Sequence, residues 1–317
     1  MTSFLCYYTI IMQNIHIEHP EDSILNGDLS VLNWFTTNSN VTVKIDGSPA
    51  IVWGRNPSTG NFFVGTKSVF NKIKIKINES HQQIDNNHQG EVAEILHHCF
   101  DYLPRTNNIY QGDFIGFGGN STYCPNTITY DFPEKLTQNI IIAPHTYYQA
   151  TTNRLRDCIK QPLKKRLTDT SHVLFVRPNV KISDQLDDIQ DVCNFAKQIA
   201  TLCEFPSVKQ VKRIKKQLNT CIREDIEVDD IVQEVLANDN NIDVNVLRLW
   251  KLVQTIKHEM FNYISCNDLI ECYIGEEYCD HEGYVMVNEF GTFKIVNREG
   301  FSVANFKLSK MRTKGDA

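Results

Sequence analysis

Four short stretches of this chain set charged groups where a strand would ordinarily carry apolar ones. Lys44-Ile45-Asp46-Gly47-Ser48 closes an apolar run with an ammonium and turns at once on Asp-Gly. Gln111-Gly112-Asp113-Phe114 places a carboxylate inside a second run, Glu282-Gly283-Tyr284-Val285 opens a third, and Phe293-Lys294-Ile295-Val296 sets another ammonium in a fourth. Two lysines and two carboxylates on strands suit one chemistry: holding a nucleoside triphosphate with its metal while a lysine attacks the α-phosphorus. A free lysine titrates at about 10.4 and is a poor nucleophile at neutral pH. In that role Lys44 needs its charged form disfavoured by desolvation and by neighbouring cations such as Lys294 and the metal. A solvated lysine before a hairpin turn is the plain alternative for Lys44-Ile45-Asp46-Gly47 alone; the three other stretches, in chain order, argue against it.

The order KxDG, xGD, EGxV and Kx(K) resembles the covalent nucleotidyltransferase superfamily of ATP-dependent DNA and RNA ligases and mRNA capping enzymes, over roughly residues 41–150 and 280–297. The KIDGS and EGYV forms look most like phage-type RNA ligases, and KIDGSPAIVWGR with NREGFSVANF also looks like a group of viral proteins of unassigned role. The resemblance implies an α+β fold: an ATP-grasp-like nucleotidyltransferase core of antiparallel sheets with a helical insertion. It implies Lys44 as the nucleophile forming lysyl-AMP, nucleotide contacts from Ile45, Asp46, Gly47, Asp113, Glu282 and Lys294, and Mg²⁺ (or Mn²⁺) held by Asp113 and Glu282 with phosphate oxygens. Asp46 and Gly47 form the turn that aims Lys44. The activity implied is ATP-dependent ligation of RNA or DNA ends, as in nucleic acid repair. A capping-like transferase with another acceptor and a weakened nucleotide-binding protein are the alternatives.

Two departures bear on the last alternative. Pro49 stands where ligases often carry Arg, which leaves the ribose to Arg55 or Lys67, and Val296 replaces the second lysine of the final motif, which leaves phosphate contacts to Arg298 or Lys307. Within Pro144-His145-Thr146-Tyr147-Tyr148, His145 or Tyr147 is placed to stack on a base, although a tyrosine here is more often core.

The elements that must position these groups are readable from periodicity. Residues 41–70 alternate β-branched and aromatic runs with DGSP and NPSTGN turns, predicting three strands. A helix is expected at 92–103, strands at 108–117 and 139–148, a mostly helical stretch over 151–265 with one strand at 172–177, and strands at 283–288 and 291–296. The expected organisation is an N-terminal extension (1–40), a split core (41–150 and 266–317) and a mainly helical insertion (151–265). The apolar stretch 4–12 suggests an added strand or tail rather than a membrane span. The piece after Val296 is too short for an OB-fold, so the insertion is expected to bind polynucleotide. Its candidates are Lys209, Lys212, Arg213 and Lys216, with a solvated helix face as the even-odds alternative.

Net charge is −6, from 32 Lys+Arg against 38 Asp+Glu over 317 residues, which excludes a global cationic coat for nucleic acid. The ten cysteines show no CxxC pair, so neither a zinc finger nor a disulfide scaffold is expected, and reduced thiols in a cytoplasm (the host's, for a viral protein) fit best. His97-His98 read as helix-surface residues, and Asp187-Asp188 and Asp229-Asp230 as acidic helix starts. No Walker loop, membrane contact or obligate protein partner is indicated.

Overall fold

A computed structural model describes residues 17–301; the apolar stretch 4–12 and Lys307 lie outside them. Two short helices, α1 (Pro20–Ile24) and α2 (Val31–Trp34), precede β1 (Asn40–Lys44), β2 (Ala50–Arg55) and β3 (Phe62–Thr66). Helices α3 (His81–Asn87) and α4 (Gly90–Tyr102) lead to β4 (Ile109–Phe117), β5 (Thr122–Tyr123), β6 (Thr129–Asp131) and β7 (Ile140–Gln149). Three short strands follow, β8 (Ile159–Pro162), β9 (Val173–Phe175) and β10 (Asn179–Ile182), then α5 (Asp187–Ala200), α6 (Val208–Arg223), α7 (Asp230–Asn240) and α8 (Val244–Glu259). The described chain closes with β11 (Ile264–Asn267), β12 (Glu271–Ile274), β13 (Glu277–Tyr278), β14 (Gly283–Asn288) and β15 (Gly291–Ile295). The class is α+β with mainly antiparallel sheets. Among the described residues no helix is long and apolar enough to cross a membrane.

The chain forms two compact units. The sheet-rich unit takes residues 47–125 and 134–177; the helix-rich unit takes 17–46, 126–133 and everything described from 178 onward. This division cuts across the expected boundaries at 40, 150 and 265, and the reason lies in which surfaces need covering. Strands β1, β14 and β15 bury one face under Ile24, Trp34, Cys193, Leu249, Val253 and Ile256 of α1, α2, α5 and α8. The helices expected as an insertion therefore form the core of the unit that carries Lys44. Helix α8 is buried on two sides, with Leu249, Val253 and Ile256 in that cluster and Val246, Leu247 and Trp250 in a second one with α6 and α7. Its apolar stripe is correspondingly broad, while Arg248 and Thr255 stay exposed.

In the sheet-rich unit the strands run β3-β2-β4-β7-β8, with β9 pairing parallel to the start of β7. Ile51 and Trp53 pack toward α4 with Ile95, Leu96 and Cys99, while Val52 points to the other face with Phe63, Val69 and Tyr148. Both faces are covered at β2, which accounts for its unbroken apolar run.

Candidate active site

The alternation in β1, β14 and β15 makes the site. Val41, Val43, Tyr284, Met286, Phe293 and Ile295 face the core, so Thr42, Lys44, Val285 and Lys294 share the opposite face. Register places Lys44 opposite Gly283 and Lys294 opposite Val285, so both ammonium groups stand on one side of a three-stranded antiparallel sheet. Glu282 immediately precedes β14, and its Oε2 accepts from Lys44 Nζ. Gly283 is required there: its φ is +128°, and a Cβ would lie 2.2 Å from the Ile295 carbonyl oxygen. Glycine thus lets β15 approach and lets Glu282 turn toward Lys44.

Burial pushes the Glu282 carboxyl above the usual carboxylate range, against the pull of Lys44. Burial also pushes Lys294 down, and the neighbouring Lys44 charge adds to it. His19 lies at the same edge, where the backbone N–H of Lys294 donates to the carbonyl of Glu18 at 3.1 Å. Burial and the charges of Arg298, Lys294, Lys257 and Lys44 hold His19 well below its ordinary titration range. Arg298 itself is buried and committed to Asp22 (3.0 Å) and Asn219 (2.6 Å), so it supplies no free phosphate contact. Val296 is buried core.

Asp46 and Ile45 are both buried. The Asp46 carboxylate accepts from Asn126 Nδ2 (2.8 Å) and from the backbone N–H of Thr127 (2.8 Å) and Ile128 (3.2 Å), and its own N–H donates to Tyr130 Oη at 2.6 Å. With those bonds made it anchors the end of β1 and presents no free oxygen to a nucleotide.

The remaining candidates belong to the sheet-rich unit. A Cβ on Gly47 would come within 2.7 Å of Asp113 Cβ. Asp113 Oδ2 lies 3.4 Å from His145 Nε2, and His145 Nδ1 is 2.7 Å from Thr146 Oγ1. Lys160 stands close to Asp113 and Lys67, and burial and the Lys67 charge lower it. Lys67 itself is exposed. Arg55 donates from Nε to the Gly60 carbonyl (2.9 Å) and from Nη1 to Asn107 (3.2 Å), which commits its guanidinium to the β2–β3 loop. Tyr147 pairs with Tyr110, whose ring approaches Trp53 on the α4 side. His145 instead meets Gln111, which receives the Tyr148 hydroxyl (2.7 Å) from the opposite face. A register shift between Gln111 and Gly112 separates the two candidates, and spacing alone hides it.

On α6 the stripe Val211, Ile214, Leu218 and Ile222 is buried, and Lys209, Lys212, Arg213 and Lys216 are exposed. Sequence reasoning missed Glu18, His19 and Tyr130 because their parts are fixed by register and backbone bonds, which leave no motif.

Against known proteins, a family described as of unknown function, DUF6267, matches residues 14–236 and 188–310. No curated protein and no solved structure matches.

Proposed function

The chain belongs to this family of unknown function, and we propose that it is a covalent nucleotidyltransferase: an ATP-dependent ligase of RNA or DNA ends with an ATP-grasp-like core. One observation carries this. Lys44 and Lys294, 250 positions apart, share one face of a three-stranded sheet, and Glu282, just before its central strand, bonds Lys44: two ammonium groups against one carboxylate.

That excess of positive charge on a half-buried face suits a polyphosphate. Mg²⁺ (or Mn²⁺) with ATP, when bound, supplies an electrophilic α-phosphorus and a pyrophosphate leaving group. The fit to the cation rests on Glu282, whose buried carboxylate has only Lys44 as a charged partner within bonding distance among the described residues. The rest is done by this chain. Sheet register fixes Lys44 Nζ beside Glu282, with Lys294 on the same face of the sheet. Asp46, tied to residues 126–128, keeps the end of β1 from moving. In the transfer step the Nζ lone pair forms an N–P bond, the P–O bond to pyrophosphate breaks, and the proton that Nζ gives up passes to solvent. Roles for Asp113, Lys67 and His145 toward nucleotide or metal rest on the motif resemblance. The buried thiols of Cys99, Cys158, Cys193 and Cys272 are free, which suits a reducing, cytoplasmic setting.

The test is direct. Incubated with Mg²⁺ and α-labelled ATP, the full chain is expected to carry label through denaturation and release it in acid. Lys44→Ala is expected to carry none while keeping the wild-type circular dichroism spectrum. A wild type that takes no label from ATP or GTP sinks the proposal, and label on folded Lys44→Ala sinks the choice of nucleophile. Sealing assays on nicked RNA and DNA then identify the acceptor.

A further inference from the structure

The final strands bring together three metal-ligating side chains that cysteine spacing did not flag. Cys266 on β11, Asp268 just after it and His281 before β14 converge, with Oδ2 of Asp268 3.0 Å from His281 Nε2 and 3.4 Å from Cys266 Sγ, and Sγ 3.8 Å from Nε2. Zinc bonds of about 2.0–2.3 Å at tetrahedral angles require donor separations of about 3.3–3.6 Å. The three separations bracket that range.

Two further features distinguish this group from a chance cluster. Cys272, itself buried, sets its Sγ 3.3 Å from His281 Nδ1, an outer partner that turns Nε2 toward the other two donors. His281 holds φ +52°, the left-handed region that a side-chain-bearing residue seldom adopts, while only 7% exposed. The backbone is bent at the residue whose ring completes the trio.

We infer that Cys266, Asp268 and His281 bind a borderline-soft divalent cation, zinc foremost, which pins the turn carrying Glu282. Mixed sulfur, nitrogen and carboxylate donors favour such an ion over Mg²⁺, which prefers oxygen alone. The Cys266 thiol gives its proton to solvent on binding, and water fills the fourth position. The next residue after His281 is Glu282, so the cation fixes the entry to β14 from β11. This inference does not depend on nucleotidyl transfer: the site stands or falls on metal binding alone.

The full chain, freed of metal with a chelator, is titrated with Co²⁺ alone and with Zn²⁺ alone. Expected are one equivalent of Co²⁺ bound with a thiolate-to-cobalt charge-transfer band and tetrahedral visible bands, displacement of both by Zn²⁺, and a higher Tm with Zn²⁺. Cys266→Ser is expected to lose the charge-transfer band, Cys203→Ser to keep it, and Cys272→Ala to bind about 10- to 100-fold more weakly. A wild type without the band overturns the site whatever the variants do, and so does a band that survives in Cys266→Ser. In either case the trio is a hydrogen-bonded cluster only.

Discussion

His19 is the residue at which the charge of this site becomes measurable. Its ring is largely enclosed near the charges of Arg298, Lys294, Lys257 and Lys44, and Nδ1 has no hydrogen-bond partner. Glu21 lies 3.8 Å away, but its Oε1 is already held by Lys257 and Arg298, so the cations prevail. The folded chain therefore resists a proton that the unfolded chain takes up at about pH 6.5. Where the unfolded state binds more protons, stability rises with pH. The His19 contribution is thus complete above about pH 6.5 and declines below it, by at most about 1.4 kcal/mol per pH unit. Urea midpoints compared between pH 5 and 8 are expected to fall more steeply on the acid side for wild type than for His19→Gln. Parallel curves would show that His19 protonates freely in the fold. Nothing in the sequence marks His19, whereas Lys44, Glu282 and Lys294 are visible as charges interrupting apolar runs. Type and position expose a residue whose charge contradicts its own strand; they are silent on one perturbed by neighbours hundreds of positions away.

The same contrast holds among elements. Strands β1, β2, β4, β7, β14 and β15 are legible because period-two alternation or a bounded apolar run spells them out. Strands β8, β10 and β11, reading IKQP, NVKI and ISCN, are short and polar, and pairing rather than propensity makes them strands. Helix α6 is the opposite case. Its buried stripe is plain in the sequence, and a capping box of Ser207 and Gln210 fixes its start. Lys215 pairs with Glu18, but Lys209, Lys212, Arg213 and Lys216 make no ion pair among the described residues. Four exposed cations on one helix suit a phosphate backbone. Replacing them together by alanine, the best helix former, is expected to leave Tm nearly unchanged. Affinity for single-stranded RNA or DNA should fall, and the slope of log K against log salt should shrink by about three. Fluorescence anisotropy at several salt concentrations reads both. An unchanged slope would assign the face to solvation.

At the scale of the molecule, the division of the chain is the least legible feature, because residues 17–46, 126–133 and 178–301 share a unit through contacts that no local pattern announces. One buried ionic network shows what ties that unit together. Lys257 on α8, wholly buried, donates to Glu21 Oε1 at 2.6 Å. Arg298, after β15, bonds Asp22 and Glu21, and Trp250 Nε1 donates to Asp22 at 3.1 Å. The first helix, the central helix and the segment after the last strand thus meet in one low-dielectric cluster, beside the edge where Glu18 receives the Lys294 N–H. Removing one member of such a cluster leaves a charge without its partner. Lys257→Met is expected to cost about 3–5 kcal/mol, since Glu21 would keep only the longer contact to Arg298. Neutralising that carboxylate as well, in Glu21→Gln with Lys257→Met, should return much of the loss, because Arg298 retains Asp22. A double-mutant cycle by urea denaturation measures the coupling. If the two losses simply add, Glu21 and Lys257 do not act as a pair, and the cluster does not join the ends of the unit as the geometry requires.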